Sequence, residues 1–258
     1  MKYRIKNQIR RLLGKPPLMP TRTACLGQDV FNAGFGVLAQ PVNIQKGRVD
    51  LLFEWMQGKP GPDAKQLRPY IKRDDIFELI EQQATLPWKM GAMDSKWLFM
   101  DSYSELVDNK FTHKKEGWSF CSTNGDLRHT DDFKADFFYE GPLPLEAIPA
   151  AYENFFQWFF QQSSNRRIIF VHFSDAFEVR QKYLERHAVI RDCLRDFEKR
   201  WPERLLNFQI ERSEAVRPEM YRGLIPGVHP YHFAEGTVQV FKQRIEQTLT
   251  NLSVNARG

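Results

Sequence analysis

Two hydrophobic rhythms run through this chain. Short segments at about 21–26, 96–101, 166–173 and 205–211 read as strands, those at 96–101 and 166–173 built on continuous apolar runs. Between them the apolar positions recur with helical spacing over 48–57, 74–86, 145–163, 181–201 and 232–252. In the first of these helices Val49, Leu52, Phe53 and Met56 share a face; in the second Ile76, Leu79 and Ile80 point inward, with Asp74 placed to cap. Strands separated by helices predict a three-layer α/β/α fold around a mostly parallel sheet, because such strands need helices over both faces. Lys15-Pro-Pro-Leu-Met-Pro20 reads as a linker ahead of the first strand, Gly34 and Gly36 loosen the chain after it, and Gly58-Lys-Pro-Gly-Pro62 is a loop.

One stretch follows neither rhythm. Residues 109–144 are rich in Gly, Asp, Asn, His and aromatics without clear periodicity, and are expected to form an irregular functional insertion or lid. The expected organisation is a basic amphipathic segment and Pro-rich linker over 1–20, then a single α/β domain over 21–258 carrying that insertion. A chain of 258 residues that is 42% apolar suffices for one sizeable core. No internal repeat or low-complexity tract is visible.

Charge changes the picture only at the amino terminus. The net charge is +5, yet residues 1–28 carry seven basic groups and no acid, leaving the rest at −2 by subtraction. Ile5, Ile9, Leu12 and Leu13 share one helical face there, so residues 1–15 are expected to lie on an anionic membrane surface, to form a solvated helix packed on their own domain, or to be a frayed tail. No further basic patch with interleaved aromatics follows, which argues against nucleic acid. The richest apolar run, Phe155 to Phe160, is too short to span a bilayer. Three cysteines without paired spacing and no signal-like start lead to the expectation of a cytoplasmic protein, peripheral at the inner membrane if the basic segment engages it.

Candidate chemistry lies near the two ends. Thr23-Ala24-Cys25-Leu26-Gly27 reads as a strand running into a turn, and Gly227-Val-His229-Pro-Tyr-His232 as a loop before a helix. Cys25 and His229 brought together make a thiol nucleophile and its base, since a cysteine attacks as the thiolate and an imidazole generates it near neutral pH. Cys25, Asp101, His172 and Ser174 all fall at predicted carboxyl ends of strands, where such folds place their sites. Asp101 is the candidate to orient the imidazole, with Ser102 and Glu105 close behind it. Asp29 follows the turn as a cap or ligand, Gly27 and Leu26 offer backbone amides, and His232 stands at the entry to the last helix.

These segments resemble the SGNH/GDSL hydrolase superfamily, most nearly its bacterial surface-polysaccharide and capsule-locus members. Thr23-Ala24-Cys25 with Asp29 and Phe31 is similar to the first motif, Trp97 to Asp108 resembles an acidic second motif, and His229-Pro230 before a helix matches the last. The resemblance implies acyl transfer to, or ester hydrolysis on, a glycan, with Cys25, His229 and Asp101 catalytic and Gly27, Asp29, Ser102, Glu105, His172, Ser174 and His232 about the substrate. Two positions depart from the pattern: Ala24 stands where the family has serine, and Pro226 where it has the motif aspartate. Either Cys25 has taken over as nucleophile, or the protein is an inactive SGNH-like glycan-binding or scaffold protein at the membrane surface. No Cys-x-x-Cys or His-x-x-x-His spacing suggests a metal, and Gly34-Phe-Gly36 lacks the rest of a phosphate loop. Acetyl-CoA, which needs no such motif, stays open as the acyl donor.

Overall fold

The computed structural model describes residues 13–89, 94–219 and 230–252, with the backbone alone of 90 and 253–255. The basic segment up to residue 12, Pro226 and His229 lie outside the described residues.

Five strands form the central sheet: β1 (Leu18–Arg22), β2 (Gln40–Asn43), β3 (Trp97–Asp101), β7 (Arg167–Val171) and β8 (Leu205–Phe208), in the order β2-β1-β3-β7-β8. Every pairing is parallel. Such strands are buried on both faces, and β3 and β7 accordingly read as near-continuous apolar runs. Helices α1 (Cys25–Phe35) and α9 (Glu235–Asn255) pack together, as do α2 (Val49–Met56) and α7 (Ile148–Gln161), and α7 packs on α8 (Gln181–Arg200). The result is a three-layer α/β/α fold.

Helix α7 shows how the sequence drives this packing. Ile148, Tyr152, Phe155, Phe156, Phe159 and Phe160 repeat at helical spacing and are all buried, so each aromatic contributes roughly 1.5–3 kcal/mol of burial. Among the described residues no helix is long and apolar enough to cross a membrane.

The first strand differs from expectation. It begins at Leu18, inside the expected linker, and ends at Arg22, and the helix after it starts at Cys25. Pro20 is tolerated for a geometric reason. The carbonyls of Pro17 and Thr21 accept the N–H groups of Gln40 and Ile44, so odd positions of β1 face β2. Pro20 thus turns its missing N–H toward β3, where pairing begins only at Thr21. Gly34 lies within α1 and Gly36 caps its carboxyl end, so neither loosens the chain. Asp74 is the first residue of α4 (Asp74–Thr85), and Arg73 holds the cap position.

Residues 109–144 hold regular secondary structure and not the irregular stretch expected. They contain β4 (Asn109–His113), β5 (Ser119–Ser122), α6 (Asp131–Asp136) and β6 (Phe137–Pro142), the strands forming an antiparallel sheet in the order β5-β4-β6. A second apolar cluster lies under this sheet, where Phe111, Phe120, Phe133 and Phe137 meet Leu67, Ile71 and Ile80. Lys46 ties the small sheet to the main domain: its ammonium lies 3.2 Å from Asp108 Oδ1 and 2.9 Å from Asp126 Oδ2.

Candidate active site

In the order of its own strands the central sheet runs 2-1-3-4-5. This doubly wound arrangement opens a crevice between the carboxyl ends of β1 and β3, where successive crossovers leave in opposite directions. Thr23, Ala24 and Cys25 sit at that crevice, between the end of β1 and the start of α1.

The turn is held from both sides. On one flank Asn43, the last residue of β2, accepts from Thr23 N–H at 3.0 Å and donates its amide to Thr23 O at 2.9 Å. Its carbonyl oxygen also accepts from the hydroxyls of Thr21 and Thr23. On the other flank Asp101, the last residue of β3, accepts from Ala24 N–H through Oδ2 at 2.6 Å and from Tyr103 N–H through Oδ1 at 3.0 Å. Alanine has no side chain with which to cap a helix, so the strand-end residues do the fixing. The first intrahelical bond is Gln28 N–H to Ala24 O, and the amides of Cys25, Leu26 and Gly27 precede it. Glycine is needed at 27 because a Cβ there would lie 2.4 Å from Asp101 Oδ2 and 2.9 Å from Thr23 Cγ2.

Beneath the turn runs a buried ionic network. Arg22 Nη1 lies 2.6 Å from Glu105 Oε1, and both side chains are essentially inaccessible. Arg22 also donates to the carbonyls of Gly47 and Asp101. The same Glu105 oxygen accepts from Val49 N–H, while Oε2 accepts from the Tyr152 hydroxyl. Glu105, expected about the substrate, is thus engaged inside the domain. Burial pushes the Asp101 carboxyl up to about 7, against the pull of Arg22 and of the two backbone amides.

The remaining expected residues divide by location. Ser102 is buried and its hydroxyl accepts from Phe173 N–H at 3.0 Å, tying β3 to the end of β7. Asp29 lies within α1, half-buried, so it is not the cap of that helix. His172 and Ser174 line a separate cavity of about 40 Å3 with His187 and Arg191. There His172 Nε2 lies 2.6 Å from Asn207 Oδ1, and burial pushes its imidazole down to about 4, so it is neutral at ordinary pH. The Ser174 hydroxyl accepts from Ala176 N–H. His232 sits half-buried in the loop before α9. The structure therefore brings Cys25, Gly27, Asp101 and Ser102 together at the crevice and His172 with Ser174 at the end of β7. It leaves the Cys25–His229 relation outside the described residues.

A larger cavity of about 800 Å3 opens at the same end of the sheet, lined by Tyr103, Tyr139, Tyr183 and Tyr231 among others. Tyr103 links it to the crevice. Its ring packs against Phe173 and edge-on to Tyr231, with centroids 5.2 and 5.9 Å away. Burial holds its phenol above the ordinary range; Lys46 opposes that shift and the nearby Cys25 thiol adds to it. Pro230 and Tyr231, which follow His229 in sequence, also line this cavity.

The three cysteines form no disulfide. Burial raises the thiols of Cys121 and Cys193, the latter to about 12, whereas Cys25 is half-buried at a helix start. Among the described residues no three His, Cys, Asp or Glu side chains cluster as metal ligands. Asn43, Arg22 and Tyr103 were not singled out from the sequence. Arg22 carried a signal, since an arginine at the end of a buried strand requires a buried acid. Asn43 and Tyr103 carried none.

No protein-family model matches this chain, and no curated protein matches it.

Proposed function

We propose that the protein transfers or hydrolyses an acyl group on a glycan, with Cys25 as nucleophile and His229 as general base. The observation that carries this reading is the position of Cys25. It is the first residue of an eleven-residue helix, at the switch-point crevice of a doubly wound sheet, on a turn clamped by Asn43 and Asp101. A helix start favours the thiolate, and the amides of Leu26 and Gly27 lie before the first intrahelical bond, where they serve as oxyanion donors. Losing one such donor typically costs about 3 kcal/mol of barrier lowering.

In this mechanism the imidazole takes the Cys25 thiol proton as the sulfur attacks the acyl carbonyl, and gives it to the departing alcohol or thiol as the acyl–Cys25 thioester forms. The imidazole then takes a proton from water or an acceptor hydroxyl, whose oxygen attacks the thioester, and returns it to the Cys25 sulfur as the acyl group leaves. Asp101 positions the nucleophile through Ala24 and orients the imidazole. The glycan class and the surface-polysaccharide setting rest on the SGNH-like motifs, and the four tyrosines around the large cavity suit sugar rings. Action at the cytoplasmic face, with residues 1–15 on an anionic membrane and acetyl-CoA as a donor, belongs to the same proposal.

Turnover of an aryl acetate, and of acetyl-CoA with oligosaccharide acceptors, tests the reading. Cys25→Ala, His229→Ala and the double variant are expected to fall to one shared residual level, because groups acting as a unit lose activity non-additively. Activity that survives Cys25→Ala within about twofold overturns the thiol mechanism. One observation favours a second reading, binding without turnover: both Asp101 oxygens already accept backbone N–H groups. Saturable oligosaccharide binding by a protein inert toward every acyl donor supports that alternative.

A further inference from the structure

The large cavity is walled on one side by the first two turns of α8, and that wall is positively charged in an unusual way. Arg186 is 6% exposed and is one of the lining residues. Its Nε donates to Glu105 O at 2.7 Å and its Nη1 to Leu143 O at 2.8 Å, both neutral carbonyls. Nη2 is shielded from solvent and bonds to nothing among the described residues. The acid whose charge acts on it most, Glu105, is committed to Arg22, Val49 and Tyr152. A buried guanidinium without its own carboxylate is costly, and an orphan donor on it adds to that cost.

The start of α8 points the same way. Helix amino termini attract acids, because unpaired N–H groups and the aligned peptide dipoles are positive there. This twenty-residue helix has no acid in its first turn and no side-chain cap; Arg180 holds the cap position and Lys182 follows. Arg180 is matched by Glu178 at 2.7 Å. Lys182 forms no ion pair among the described residues, and its ammonium rests over the Tyr183 ring. The acid among the lining residues is Glu185, which accepts from the Gln181 amide. Lys182 and Arg186 therefore place a surplus of positive charge where the helix itself is positive, beside tyrosine rings in a space fitting a ligand of sugar-phosphate or nucleotide size.

We propose that this cavity binds a phosphate ester, the phosphate meeting Arg186, Lys182 and the start of α8 while Tyr139 packs on the neutral ring. The phosphate supplies the charge that the helix start lacks, and a rotation of the Arg186 fork toward the cavity brings Nη2 the acceptor it lacks. Two sources present this chemistry, a phosphorylated sugar and the phosphates of coenzyme A. Binding is separable from turnover at Cys25, so it stands or falls apart from the acyl-transfer reading.

Calorimetric titration of the full chain with glucose 1-phosphate, coenzyme A and glucose, at low and high salt, tests the proposal. At least one phosphate ester is expected to bind about tenfold or more tightly than glucose, and to weaken with salt. The tighter of the two identifies the source. Lys182→Glu, an exposed change that leaves the fold intact, is expected to weaken that binding about tenfold, and Arg186→Lys, which keeps the charge but loses the fork, to weaken it likewise. If Arg186→Lys does not fold, Lys182→Glu alone decides. Phosphate esters that bind no better than glucose, or affinity unchanged in folded Lys182→Glu, overturn the proposal.

Discussion

Gly27 rests directly on Asp101: a single methyl group on the glycine would come within 2.4 Å of the carboxylate that holds Ala24 N–H. The first turn of α1 and the end of β3 are thereby locked face to face, and the backbone of Cys25 is set by a residue far away in sequence.

Gly27→Ala is expected to destabilise the protein by about 1–3 kcal/mol, since neither Asp101 nor Thr23 can retreat from a clamped turn. Activity or thiol reactivity should fall further than stability does. Chemical denaturation set beside alkylation rate measures both, and a stable variant with unchanged Cys25 reactivity would contradict the close approach.

Arg22 and Glu105 are a buried pair whose separation leaves a bare charge. Arg22→Met is expected to cost roughly 3–5 kcal/mol, and Glu105→Gln a comparable amount. The double variant Arg22→Met with Glu105→Gln should be more stable than the sum of the two implies, by at least about 1 kcal/mol. Additive losses in urea unfolding would show that the pair is not coupled.

The pH dependence of stability isolates Asp101. Its carboxyl titrates near 7 in the fold against an ordinary value of 3.8, so the folded state holds this proton more tightly than the unfolded chain does. The contribution is fully present below about pH 4 and is lost as pH rises through about 7. Asp101→Asn cannot titrate, and it also loses an acceptor at one amide, which adds a constant offset. The melting temperature of the wild type minus that of Asp101→Asn is therefore expected to shrink from pH 4 to pH 7.5. A difference that stays constant or grows is the contrary result.

Thiol labelling should be selective. Cys121 is buried and Cys193 has a raised thiol, so a soluble alkylating reagent at about pH 7 is expected to mark Cys25 first, and Cys25→Ala to remove the fast phase. Peptide mapping that finds Cys193 labelled first would reverse the assignment of the reactive thiol.

Much of the architecture was legible from residue patterns. The apolar runs of β3, β7 and β8 and the helical stripes of α2, α4, α7 and α8 appear where periodicity placed them, because strands buried on both faces and amphipathic helices write their environment into local sequence. The small antiparallel sheet was not legible. Strand β5 buries two serines, and β4 pairs with β6 across a register shift at Lys110 and Phe111, so the two-residue alternation is broken. Strand β1 starts three residues before its expected position because Pro20 reads, in sequence, as part of a linker. Its open side toward β3 exists only once the sheet has formed.

For the site, Cys25, Asp101, Ser102 and Gly27 stood out by their place at the ends of predicted elements, and the fold gathers them at one crevice. Neither the partners of Glu105, the clamp from Asn43 nor the unmatched Arg186 is a property of neighbouring residues. Each arises when strand ends distant in sequence converge and water is excluded, so that charges and amides must find partners across the fold. Local periodicity carries no record of those encounters; tertiary packing alone decides which polar groups meet and which, like Arg186 Nη2, are left with none.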